Sequence, residues 1–301
     1  MKWINAFYLI CIFPFAAFSA DYKQGQDAKL NEADSLFQAG NYFEASIGFE
    51  RIFFGTDNPE VKTMANLRKA EAYKQMGEYA RARNDLERSL MYGGNHVSRM
   101  EVLYQMAFCA YMESDFADAN ALVLQWKHLS GGEIEHRVML LQALLLVEEW
   151  AWDELRSHLE AWLAFADQTQ AQADTLLAGY DMLVTDLLPA REKSVHKARM
   201  LSTFIPGAGQ VYAGEAGWGL LNATSQLAAL GAFTWLAFNG FYLAGPIAGL
   251  GLFQSLYFGG INQAGELTQI HNTTLRNQTR TAAAIFLINL FEQLSGGGST
   301  T

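Results

Sequence analysis

The side chains able to do chemistry are scattered along the chain. Ser194 and Lys197 stand three residues apart, the spacing at which a lysine amine assists a serine nucleophile. The Lys-Thr-Gly and Ser-Asp-Asn segments that complete such a site do not occur, and the match is read as coincidental. The six histidines, His96, His128, His136, His158, His196 and His271, include no pair at the helical spacing of a metal site, so neither a metal nor a cofactor is expected. His128 and His136 flank Ser130-Gly131-Gly132 and are expected in solvent. The glycine-rich stretch around Gly207 and Gly209 lacks the Lys-Ser/Thr ending and the preceding strand of a phosphate cradle. Asp and Glu are spread as on solvated helical faces. The residues therefore point away from an enzyme. One catalytic alternative, a membrane-surface site at Gln210 and Tyr212, stays open.

The elements that would position any site follow from composition. Half of the 301 residues are apolar, which is ample for a sizeable core. The net charge of −10 is uneven: the first 190 residues hold 15 Lys/Arg against 27 Asp/Glu, so nucleic acid is not an expected partner. Residues 1–19 read as a secretory signal, with Lys2 ahead of an uncharged stretch from Ala6 to Ala17 and cleavage after Ser19. An uncleaved anchor helix is the alternative, and both versions export the rest of the chain. Of the two cysteines, Cys11 lies in this leader. The mature chain then makes no internal disulfide, and Cys109 is expected as a small core residue.

From 25 to 190 one pattern returns four times: Gly40-x-Tyr42-x-x-Ala45, Gly77-x-Tyr79-x-x-Ala82, Ser114-x-Phe116-x-x-Ala119 and Trp150-x-Trp152-x-x-Leu155. The aromatics are 37, 37 and 36 residues apart, each preceded by a small residue (Ala33, Ala70, Ala107, Ala143) and followed by a larger one (Phe49, Leu86, Val123, Leu159). A small side chain lets two helices cross closely, and the aromatic fills the seam between neighbouring pairs. This pattern resembles the tetratricopeptide repeat, which implies antiparallel helix pairs stacked into an α-solenoid, here with slightly lengthened turns. A further helix, from Gln168 to Leu188, is expected to cap the stack before Pro189 stops it.

The resemblance implies a groove lined by the first helix of each pair. Its inward positions include Phe37, Met64, Lys74, Tyr104, Phe108, Tyr111, Met112 and Arg137. Exposed aromatics and methionines in the third pair suit an apolar side chain of a protein or peptide partner. They equally suit the capping helix or the C-terminal region of the same chain. With Glu71 among them and only Lys74 and Arg137 basic, a grip on a terminal carboxylate is disfavoured.

Fifty consecutive residues, 216–265, carry no charge. Two stretches of about twenty residues, 218–238 and 241–260, are expected to form a transmembrane helical hairpin turning at Asn239-Gly240 or breaking at Gly245-Pro246. Each Leu, Ile or Phe favours insertion by roughly 0.3–0.6 kcal/mol. The small-residue spacings Gly245-x-x-x-Gly249 and Ala228-x-x-x-Ala232 allow close helix contact and a homo-oligomer. Ahead of the hairpin, in 191–215, stands Pro206-Gly207-Ala-Gly209-Gln210-Val-Tyr212-Ala-Gly214, followed by Gly219. This resembles the Pro-Gly-x-Gly-Gln membrane domains that follow repeat domains in bacterial envelope proteins and, more distantly, the two-transmembrane-helix domain family. The resemblance implies a small hairpin domain with an interfacial lead-in loop and brings no activity with it. Arg191, Lys193, Lys197 and Arg199 form a basic collar for anionic headgroups, or simply a solvated helix face. An exported hairpin with an even number of spans leaves this collar on the non-cytoplasmic side, against the positive-inside tendency. Residues 266–295 are expected as a separate C-terminal helical segment and 296–301 as a flexible tail. The reading is an all-α, non-enzymatic adaptor of the bacterial cell envelope, with its repeats in the periplasm and the lipid bilayer as its support. An oligomeric transport or pore component is the alternative.

Overall fold

The computed structural model describes residues 24–92, 96–132, 135–166, 168–187, 192–243 and 246–296. The expected leader at 1–19, Arg191, Gly245 and the tail from 297 lie outside them. The described regular structure is helical, with no strand. Helices α1 (Gln24–Gln38), α2 (Tyr42–Phe54), α3 (Pro59–Gln75), α4 (Tyr79–Met91), α5 (His96–Met112), α6 (Phe116–Ser130), α7 (His136–Glu148) and α8 (Trp152–Phe165) follow one another, each packed on the next. Then come α9 (Gln170–Leu187), α10 (Val195–Phe204), α11 (Ala208–Ala213), α12 (Ala216–Phe238), a π-helical turn (Pro246–Leu250) and α13 (Gly251–Gly296). The chain divides into two compact bodies: one runs to Ala178 and regains the residues from Ala284 onward, the other is Gly179–Ala283.

In the first body, the pairs α1/α2, α3/α4, α5/α6 and α7/α8 are joined by turns of one geometry. Gly40, Gly77, Ser114 and Trp150 all have φ between 59° and 80°. In each turn this residue's N–H donates to the carbonyl three residues back, and the next N–H donates five back: Gly40 to Phe37 and Asn41 to Leu36, Gly77 to Lys74 and Glu78 to Tyr73, Ser114 to Tyr111 and Asp115 to Ala110, Trp150 to Val147 and Ala151 to Leu146. This is a left-handed C-terminal cap, which glycine adopts without steric cost and Ser114 and Trp150 adopt against it. Trp150 gains an edge-on contact with Trp152, ring centres 5.5 Å apart. Ala33, Ala70, Ala107 and Ala143 are buried, as are Ala45, Ala82, Ala119 and Leu155 after each turn. Beyond direct chain neighbours, α3 packs on α5 and α5 on α7, so the first helices of successive pairs lie side by side.

A helix forms where the capping helix is expected, as α9, with Tyr180 buried and Leu176, Leu177 and Leu183 half-buried; it runs across the division between the two bodies.

The second body departs from the expected pair of spans. No helix among the described residues is long and apolar enough to cross a membrane. In α12 the cause is Asn222, Thr224, Ser225 and Gln226, which interrupt its apolar run; Asn222 and Gln226 are buried inside the body. The chain reverses after Asn239, where Gly240 takes φ +84°, and resumes helix at Pro246. There α12 packs on the π-turn, with Gly249 so near Phe233 that a Cβ would lie 2.5 Å from the Phe233 Cβ. The separate segment expected from 266 is instead the continuation of α13 across that boundary.

Candidate partner surface and glycine-rich motif

The first helices of the second, third and fourth pairs are stitched together by a row of polar side chains. Lys74 Nζ pairs with Glu71 and donates to Gln105 Oε1 at 2.7 Å. Gln105 Nε2 donates to Glu101 at 2.8 Å, and Arg137 reaches both Glu101 (3.0 Å) and Glu135 (2.8 Å). The two cations also lie over aromatic faces, Lys74 at 5.5 Å from the Phe108 ring centre and Arg137 at 4.6 Å from that of Tyr104. Burial pulls the Arg137 pKa down, but Glu101 outweighs it and holds the guanidinium above its ordinary range.

This geometry corrects the expected groove. Tyr104, Phe108 and Lys74 are buried. They serve as contacts between helix pairs, not as an exposed apolar grip, because the neighbouring pair covers the face that helical periodicity marks as inward. Phe37, Met64, Tyr111 and Met112 are half-buried; Phe37 meets Tyr42 edge-on at 5.2 Å, and Tyr111 meets Phe116 at 5.6 Å. Glu101 and Gln105, which complete the row, do not stand out in the sequence. A signal exists for one of them: Glu101 and Arg137 are 36 residues apart, the turn-to-turn period, so they occupy equivalent places in adjacent pairs.

In the second body the glycine-rich motif is a packing device. Pro206 and Gly207 form the centre of a tight turn closed by Ala208 N–H on the Ile205 carbonyl, with Gly207 at φ +88°. A Cβ on Gly207 would sit 2.2 Å from the Gly219 carbonyl oxygen, and one on Gly209 would sit 2.0 Å from that of Ala198. Gln210 is 0% exposed. It accepts from Ser202 Oγ (3.0 Å) and donates to the Gly260 carbonyl (2.9 Å), while Gly209 N–H donates to Ser202 Oγ (3.1 Å). Gly214, at φ +104°, ends α11. Motif residues thus join α10, α11, α12 and α13. Ser202 and Gly260, two hydrogen-bond partners of Gln210, carry no signal separable from the surrounding small residues.

The collar residues are drawn into the same assembly. Lys193 Nζ donates to the Ala213 carbonyl at 3.1 Å, and its backbone exchanges hydrogen bonds with the Asn272 amide at 2.9 and 2.8 Å. Tyr212 Oη accepts from Ser194 N–H at 3.1 Å, and Lys197 Nζ lies 5.3 Å from the Tyr212 ring centre. Arg199 is exposed, with its guanidinium beside Gly265. Lys193 is therefore half-buried as a helix-end cap, leaving Lys197 and Arg199 as the exposed described cations of the collar. The Ser194/Lys197 spacing acquires a structural meaning too: Ser194 Oγ accepts from Lys197 N–H and caps α10.

His136, expected in solvent, is half-buried and accepts the Trp162 indole N–H through Nδ1 at 2.8 Å. No His/Cys/Asp/Glu group among the described residues is arranged to hold a metal ion. Gln210 and Tyr212 do not converge on a common opening: the Gln210 amide is sealed inside, while the Tyr212 hydroxyl faces the start of α10.

Compared with protein families, curated proteins and solved structures, the chain matches none.

Proposed function

We propose that this chain is a membrane-associated adaptor of the bacterial envelope: a tetratricopeptide-type stack that holds a polypeptide partner, supported on lipid by its second body. The observation that carries the stack is the fourfold recurrence of one turn geometry at Gly40, Gly77, Ser114 and Trp150. Such arrays expose long faces to partners while each pair depends on its neighbours for a core. Lipid association is supported by large apolar side chains that the second body leaves uncovered. Leu220, Leu227, Trp235 and Phe238 on α12, Phe241, Tyr242 and Leu243 beyond it, and Ile247 all face outward. A patch of this extent is unusual on a surface meant for water. Asn222 and Gln226 point inward, the arrangement polar groups take in an apolar solvent. Partial burial of the hairpin in one leaflet requires no membrane-crossing helix.

Two measurements test the reading. The mature chain is expected to float with vesicles of phosphatidylethanolamine and phosphatidylglycerol, and recovery as a monodisperse protein without lipid or detergent overturns the anchor. A photocrosslinker at Met112 or Met64 in living cells is expected to give a discrete adduct, and its absence from both sites counts against a partner on that face.

A further inference from the structure

On the adaptor reading, a further partner site lies away from the first-helix row, on α2. That helix leaves Phe43 54%, Ile47 39% and Phe54 73% exposed, at positions i, i+4 and i+11 of one face. They border a groove of about 500 Å³ whose floor includes Ser46, Lys69 and Tyr73. Helical grooves that receive amphipathic helices present anchors at this spacing, and the volume falls in the range of a site for several side chains.

The charges select the occupant. Glu50 is the carboxylate in the lining, and it is spent: Arg88 grips both its oxygens at 3.0 and 2.8 Å, and Lys69 adds a contact at 2.9 Å. Lys69 and Arg88 are in turn shared with Asp85 at 2.9 and 3.4 Å. Arg51, one turn beyond Ile47 on the rim, is exposed and has no ion-pair or hydrogen-bond partner among the described residues. Three cations thus meet two carboxylates, an excess of positive charge on a body that is otherwise strongly acidic. A flat bilayer would touch the rim phenylalanines but leave the recessed Lys69 and Tyr73 uncovered.

We infer that this groove binds an amphipathic helix of a protein partner, which seats apolar side chains between Phe43, Ile47 and Phe54 and presents a carboxylate to Arg51. The test uses the full chain in detergent and two labelled helical peptides. Both carry leucines at i, i+4 and i+11; one has glutamate at i+8 and its twin has lysine there. Fluorescence anisotropy is expected to show the glutamate peptide binding at least about tenfold more tightly. Arg51→Glu is expected to invert that preference, and Phe43→Ser with Phe54→Ser to remove binding of both peptides while the circular dichroism is unchanged. Equal binding of the twins, a preference that survives Arg51→Glu, or no binding of either peptide overturns the inference. So does protection of Ile47 by anionic vesicles without peptide binding, or by self-association of the chain. Peptide binding that survives loss of both phenylalanines overturns the groove yet leaves the adaptor reading standing.

Discussion

A side chain is what separates Ser114 from Gly40 and Gly77, which share its place in the turn and its left-handed backbone. An L-residue with a side chain pays roughly 1 kcal/mol for the left-handed region, and Ser114 is exposed, with little packing to lose. Ser114→Gly is therefore expected to stabilise the protein by about 0.5 kcal/mol, after the extra freedom of glycine in the unfolded chain offsets part of the gain. Urea denaturation measures it. Gln210 is the opposite case, since removing its amide leaves the Gly260 carbonyl and the Ser202 hydroxyl short of partners in a sealed interior. Gln210→Ala is expected to cost about 2–3 kcal/mol, read as a drop in melting temperature in detergent. Cys109 shows burial acting on chemistry: its thiol is pushed up to about 12, so it is expected to resist alkylation at neutral pH until the chain is unfolded.

Between helices, the row from Glu71 to Glu135 makes alignment a matter of charge as well as shape. Arg137→Met leaves Glu101 with only Gln105 and is expected to cost about 3 kcal/mol. Arg137→Lys should recover only part of this, because a lysine ammonium lacks the fork that reaches Glu101 and Glu135 together. The α7/α8 pair carries a pH response as well. Burial holds both His136 and His158 below the ordinary value of 6.5. The unfolded chain therefore takes up these protons first, so their contribution is complete above about pH 6.5 and is lost as pH falls from there. Melting temperature is expected to decline between pH 7 and 5, and less so in His158→Phe. The carboxylate Glu50, held low by Arg88 and Lys69 against its burial, adds its own loss only below about 4.5.

These elements differ in how far the sequence reveals them. The turns are legible because aromatic spacing repeats and Gly40 and Gly77 mark the left-handed positions. Helical periodicity shows that Tyr104 and Phe108 lie on a shared face, but it does not say whether solvent or another helix covers that face. The apolar stripe of Phe43, Ile47 and Phe54 is hidden for the converse reason: on a second helix it looks like core. In the second body, the count of uncharged residues suggests two spans, whereas the inward turn of Asn222 and Gln226 depends on packing that no local pattern contains.

For the molecule as a whole, two surfaces of different character share one chain, an acidic helical stack and a body coated with leucine and phenylalanine. Replacing Leu220, Leu227 and Phe238 by serine, all exposed, is expected to reduce the detergent needed for monodispersity and to weaken vesicle flotation without lowering the melting temperature of the stack. Static light scattering and flotation read the two effects separately.

The shared turn also bears on how such a chain can lengthen or shorten. Glu78 and Asp115 follow their turns with nearly the same backbone angles, −93°/61° and −87°/69°. Excising residues 78–114 would splice Gly77 to Asp115 with no new backbone strain. The splice would nevertheless set Leu141 and Leu144 where Gln105 and Phe108 had met Lys74, leaving the buried ammonium paired with Glu71 but without its amide acceptor and aromatic face on the next pair. Backbone grammar permits the cassettes to be shuffled; the contacts of Lys74 with Gln105 and Phe108 favour the order that the chain has.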